Sequence, residues 1–139
     1  MVIFVHLLAY MMCLVENHHV SVHFENIRTN QGTLLVGVYT NQAQWKIRKP
    51  LFEVVLPKTN WKDGKMTAEI PGFGSGVYGI AVLDDINDNQ VVDMGLIFPK
   101  EGFGFSNYEH KTWFLPTFDD FDFTLPENHQ ITIRIRYLD

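Results

Sequence analysis

The chain is expected to form an all-β domain, a two-sheet antiparallel sandwich of about seven strands with one long ordered loop. Short runs alternate apolar and polar residues with period two, and turn residues rather than long helical stretches separate them. Hydrophobic residues make up 46% and aromatics 14%, with Phe counted 11 times, a composition that excludes disorder and suits pleated, half-buried strands. With 139 residues the chain can bury roughly two-thirds of its unfolded surface, so one core is expected without covalent staples.

Taken in order, Val2 to Val15 is an almost continuous apolar run, too short to span a bilayer comfortably and suited to the h-region of a secretory signal. Residues 1–17 are therefore read as a signal peptide and 18–139 as a single sandwich domain in an exported protein, with no stable membrane span once the signal is cleaved. A membrane anchor and a structural first strand are the alternatives for this run. Val20 to Phe24 and then Leu34, Val36 and Val38 alternate on either side of Asn30-Gln31-Gly32 and read as two antiparallel strands. Ala43 to Lys49 can form a short helix, and Leu51 to Leu56, fenced by Pro50 and Pro57, suits an edge strand. Met66, Ala68 and Ile70 follow the Asp63-Gly64 turn, and the run Pro71-Gly72-Phe73-Gly74-Ser75-Gly76 separates them from Val77 to Leu83, giving a second hairpin-like pair.

Residues 84–116 read as a long connection, and long ordered loops in compact domains are usually functional. Phe118 to Leu125 and the alternating Ile131, Ile133, Ile135 and Tyr137 close the domain in an immunoglobulin-like or transthyretin-like Greek key. Val36, Val38, Ile80, Val82, Phe123, Ile133 and Ile135 lie on the apolar side of these patterns and are expected between the sheets. Tyr78, just after a glycine corner, has the placing of a tyrosine corner.

The connection opens on the most informative motif. Asp85, Asn87, Asn89 and Asp93 occupy positions one, three, five and nine of a calcium-loop pattern, and the Val91 carbonyl can serve position seven. Gln90 stands where the pattern has Gly, and Leu96 where it has a bidentate Glu, so Glu101 or a backbone carbonyl is the candidate extra ligand. Ca2+ is accordingly the candidate cofactor. An Asx-rich turn without metal is the competing reading, because Asp and Asn side chains satisfy nearby backbone N–H groups. Farther on, Phe103, Phe105, Ser106, Asn107 and Tyr108 form a candidate binding loop, with aromatic rings that plug one end of the sandwich as the alternative.

Net charge is −5 with 11 Lys and Arg and no run of them, so nucleic acid is not the expected partner. Cys13 is the only cysteine, which excludes an intramolecular disulfide and a Cys-based zinc site. His19 and His23 would point the same way on a strand roughly 13 Å apart at about 3.3 Å per residue, too far to share one ion. His110 and His129 have no Ser or Cys partner in a recognisable motif, and no catalytic triad is legible.

Three segments carry a resemblance: Gly76-Val77-Tyr78-Gly79-Ile80 entering a strand, the acidic loop Asp84 to Asp93, and Pro99-Lys100-Glu101-Gly102-Phe103-Gly104-Phe105-Ser106-Asn107. Together they resemble the bacterial DUF2141 family of small exported proteins, whose pattern runs roughly G-x-Y-A-I-x-x-x-H-D-x-N-x-N-G-x-x-D and then P-x-E-G-[YF]-G-F-S-N. Asp84 stands where that family often has His, and Gln90 where it has Gly. The resemblance implies an exported β-sandwich and supplies no activity. The functional expectation is a non-enzymatic module, Ca2+-stabilised, that binds an envelope protein or glycan through the end carrying residues 84–116. A metal-assisted hydrolase using Asp84, Asp85, Asp93 and Glu101, and a purely structural domain without ligand, are the alternatives.

Overall fold

A computed structural model describes residues 16–90 and 101–139. In chain order they form β1 (His18–Glu25), β2 (Thr33–Tyr39), α1 (Gln42–Ile47), β3 (Phe52–Pro57), β4 (Met66–Phe73), β5 (Gly76–Asp85), β6 (Gly102–Phe105), α2 (Phe118–Phe121), β7 (Asp122–Leu125) and β8 (Gln130–Arg134). The strands build two sheets, β4-β1-β8 and β3-β2-β5-β6, with β7 also on β5. The all-β sandwich is therefore the architecture of the chain. Among the described residues no helix is long and apolar enough to cross a membrane.

The pairing departs from two adjacent hairpins. β1 lies antiparallel to β4, while β2 lies antiparallel to both β3 and β5 in the other sheet. The segments after β1 and after β4 are thus corners that carry the chain from one sheet to the other. Each has the means to turn sharply: Asn26 and Gly32 adopt positive φ in the first, and Gly72 and Gly76 in the second. The last strand differs too, because β8 runs parallel to β1 with Ser21 opposite Gln130 and Glu25 opposite Arg134. Tyr78 does tie its corner, since its hydroxyl donates to the Gly74 carbonyl at 3.2 Å.

Period-two alternation sends Leu34, Val36 and Val38 of β2, Ile80 and Val82 of β5, and Ile131 and Ile133 of β8 into the space between the sheets. All seven residues expected there, including Phe123 and Ile135, are buried in this one cluster. A second cluster covers the outer face of the five-stranded sheet, where Tyr39, Trp45, Phe103, Phe105, Phe118 and Phe121 pack edge to face. α1 starts because the Asn41 side chain accepts the Gln44 N–H at 2.8 Å, and it ends where Arg48 turns left-handed at φ 57°. This short helix places Trp45 over the sheet, with the indole N–H donating to the Pro116 carbonyl at 2.7 Å. Of the expected strand Phe118 to Leu125, only Asp122–Leu125 is extended; the first turn is α2, whose Phe118 and Phe121 rings sit over Gly79, where a Cβ would approach within 3 Å.

Candidate functional site

The glycine-rich segment before the long loop's aromatic run is a strand, β6, and its glycines have a packing reason. A Cβ at Gly102 would lie 2.4 Å from the Tyr137 ring, and one at Gly104 would lie 2.7 Å from the Arg134 carbonyl oxygen. β6 therefore slides against the end of β8, and Phe103 and Arg136 exchange backbone hydrogen bonds at 3.0 and 2.7 Å. This joins the two sheets along one edge. Phe103 and Phe105 turn outward from the main core into the second aromatic cluster and are 2% exposed, while Tyr108 packs against that cluster.

Ser106 is fully buried where the neighbour of β5 changes from β6 to β7. Its N–H donates to the Ile80 carbonyl, its hydroxyl accepts the Ile80 N–H at 2.9 Å, and the same hydroxyl donates to the Phe121 carbonyl. Asn107, at φ 51°, donates its N–H to the Thr132 carbonyl and accepts the Thr132 N–H on its side-chain oxygen at 3.0 Å. Phe103, Phe105, Ser106 and Asn107 thus carry contacts that hold the sandwich shut.

Consecutive residues of β5 send the two acidic side chains to opposite faces. Asp84 points inward and is sealed: Oδ1 lies 2.5 Å from Lys58 Nζ, with side-chain exposures of 0% and 1%. Tyr137 donates to Oδ2, and Lys58 also donates to the carbonyls of Gln31 at 2.6 Å and Thr29 at 3.1 Å. Burial first, and then the bond to Asp84, keep the Tyr137 proton on well above the usual phenol range. Arg28 covers this cluster, its guanidinium 4.0 Å from the Tyr137 ring centroid and paired with Asp139 at 2.6 and 2.8 Å. Asp84 and Asp85 therefore lie on opposite faces of β5, and Asp84 is held by Lys58 and Tyr137.

Asp85 faces the acidic loop. Its Oδ1 accepts the Asn89 N–H at 3.3 Å and its Oδ2 the Gln90 N–H at 2.7 Å, and both Asp88 and Gln90 adopt positive φ. Gly32 packs so closely beneath that a Cβ would lie 2.0 Å from the Asp85 carbonyl oxygen. Asn87 and Asn89 are exposed, and Glu101 lies just before β6. Val91 and Asp93 lie outside the described residues. Among the described residues no group of three or more His, Cys, Asp or Glu side chains is placed to hold a metal ion.

Two surfaces at this end carry features that the motifs did not disclose. A groove of about 450 Å³ runs over the five-stranded sheet between Leu35, Tyr39, Trp45, Leu83, Phe105 and Leu115. Beyond it, residues 110–114 wrap around Arg136, whose Nη1 donates to the His110 and Thr112 carbonyls at 3.1 and 2.9 Å and to His110 Nδ1 at 2.7 Å. The His110 Nε2–H donates to the Phe114 carbonyl at 2.6 Å. A loop fixed in this way holds Trp113 and Phe114 outward, 72% and 81% exposed. Trp61, by contrast, lies against the main core and donates to the Ile27 carbonyl at 3.1 Å. The exposed Trp113 was legible as a residue type and its exposure was not, because the anchoring Arg136 comes from the far end of the chain.

The strands and their order define a two-sheet β-domain. The chain belongs to the DUF2141 family, described as an uncharacterized protein conserved in bacteria, whose model matches residues 22–134. No curated protein and no solved structure matches the chain.

Proposed function

We propose that the chain is an exported, non-enzymatic binding module that engages an envelope protein or glycan through the end carrying residues 84–116. The observation that carries this reading is the exposure of Trp113 and Phe114 on a loop held by hydrogen bonds that involve Arg136, His110 and Thr112. Water-facing indole and phenyl side chains are usual at recognition surfaces, where a rigid ring adds contact area at little entropic cost. Export is supported by the apolar run Val2 to Val15. Trp113→Ala with Phe114→Ala is expected to abolish retention of the purified protein on isolated bacterial envelopes while leaving its thermal melt unchanged within about 0.5 kcal/mol, the usual range for surface substitutions. Retention equal to that of the parent protein contradicts the reading.

Calcium binding by the acidic loop is the second reading we propose, through Asp85, Asn87, Asn89, the Val91 carbonyl, Asp93 and Glu101. It is favoured by Gln90, which at φ 57° makes the sharp turn that a Gly supplies at position six of such loops. Affinity is expected in the weak range of about 10⁻⁴ to 10⁻³ M, and a hundredfold excess of ion over the dissociation constant adds about 2.7 kcal/mol. Calcium at about 10 mM should therefore raise the melting temperature, and chelator should reverse it. Asp93→Ala is the cleaner variant, since Asp85 also caps the loop; it should remove the increase. An identical melt with calcium and with chelator, and no heat on titration, returns the loop to an Asx-rich turn.

A further inference from the structure

The loop that presents Trp113 and Phe114 is built on a concentration of positive charge that the composition conceals. The chain carries 11 Lys and Arg against 16 Asp and Glu. Yet Lys111, Arg134, Arg136 and His110 line one polar cavity of about 340 Å³, together with Asn26, Glu109, Ile135 and Tyr137. Arg134 and Arg136 reach it from the same face of the last strand's end, two residues apart. The three loop contacts of Arg136 go to Nη1, so Nε and Nη2 are left as donors for a ligand among the described residues.

Carboxylates already lie close to these cations. Glu109 is 3.8 Å from Lys111, and Glu25 is 3.8 Å from Arg134, with all four side chains between 40% and 75% exposed. Exposed pairs at that separation are weak. A ligand carboxylate that meets the guanidinium fork directly makes shorter, charge-assisted bonds and can displace them. Glu109 also lines this cavity and opposes such a ligand.

We infer that this surface takes an acidic polysaccharide, a chain of uronic acids, with Trp113 and Phe114 against sugar-ring faces and Arg134, Arg136 and Lys111 on the carboxylates. The inference rests on the binding-module reading and names its ligand class. Aromatic faces alone would suit a neutral glycan, and cations alone would suit any anion. Their nearness, with the aromatic loop fastened to Arg136 itself, selects a ligand with both features.

The test is titration of the full protein, followed by Trp fluorescence and calorimetry, with oligogalacturonate and with its methyl ester, which keeps the rings and removes the charge. The acid should bind at least about tenfold more tightly than the ester, the factor expected from one charge-assisted hydrogen bond. Arg134→Gln with Lys111→Gln, both on exposed positions, should remove that advantage and leave weak ester binding in place. Trp113→Ala should weaken both ligands.

Raising the salt concentration should weaken the acid selectively. Equal binding of acid and ester, both dependent on Trp113, overturns the charge inference and leaves the binding-module reading intact. No binding of oligogalacturonate up to about 10 mM, a limit of about −2.7 kcal/mol, also overturns it. Binding to vesicles of anionic lipid in place of both sugars overturns it in favour of a membrane surface.

Discussion

Lys58→Met is expected to lower the unfolding free energy by about 3–5 kcal/mol, the range found when one partner of a buried ion pair is removed. The reason lies at the end of β5. Asp84 is wholly buried and its carboxylate is held by the Lys58 ammonium at 2.5 Å and by the Tyr137 hydroxyl. Without Lys58 a carboxylate would sit in the protein interior with one neutral donor, and the carbonyls of Thr29 and Gln31 would lose theirs. Asp84→Asn should be costly for the complementary reason, because it strands the ammonium. The double variant should be less destabilised than the sum of the two, with a coupling of about 2 kcal/mol or more in a urea-unfolding cycle. Strict additivity of the two losses would show that the pair contributes as two separate contacts.

Ile80→Ala and Ile133→Ala should each cost about 2–5 kcal/mol, since both side chains are fully buried between the sheets and their truncation leaves a cavity as well as lost transfer free energy. Ile133 has little room to compensate. Its Cγ2 lies where a Cβ on Gly104 would approach within 2.7 Å, so β6 already lies against it at contact distance. Ile133 should therefore behave as a residue of the sheet junction as well as of the core. Losses below about 1 kcal/mol at both positions in denaturant unfolding would mean that the inward faces of β5 and β8 are wrongly identified.

Much of the fold was legible because alternation is a local signal with a fixed physical origin: successive Cβ atoms point to opposite sheet faces. That signal located the core residues, and Pro50 and Pro57 marked out β3 between them. It could not say which strands pair. Asn30-Gln31-Gly32 and the Gly74-Ser75-Gly76 corner look like hairpin turns, and only the long-range partners of β1 and β5 reveal them as crossings between sheets.

β6 escaped notice because Gly102 and Gly104 suggest a turn by local preference. Their bareness is demanded by Tyr137 and the Arg134 backbone, which lie far along the chain. Lys58 escaped for a similar reason. A lysine after a strand-ending proline reads as a surface residue until the crossing after β1 brings two carbonyls and Asp84 around its ammonium. The acidic loop showed its spacing plainly, while the left-handed turn at Gln90 could not be read from a residue that seldom adopts it.

The parallel pairing of β1 with β8 has a kinetic consequence. A chain that emerges from the ribosome or a translocation channel with its first strand leading can pair that strand with β4, but the other flank stays open until Gln130 to Arg134 arrive. Closing so long a loop is entropically slow, and sheets dominated by distant partners fold in milliseconds to seconds rather than microseconds. The domain is thus assembled from its two ends at once and late. Until then β1 presents an unpaired edge that can recruit a neighbouring chain, so the interval before the last strand docks is when aggregation competes most strongly with folding.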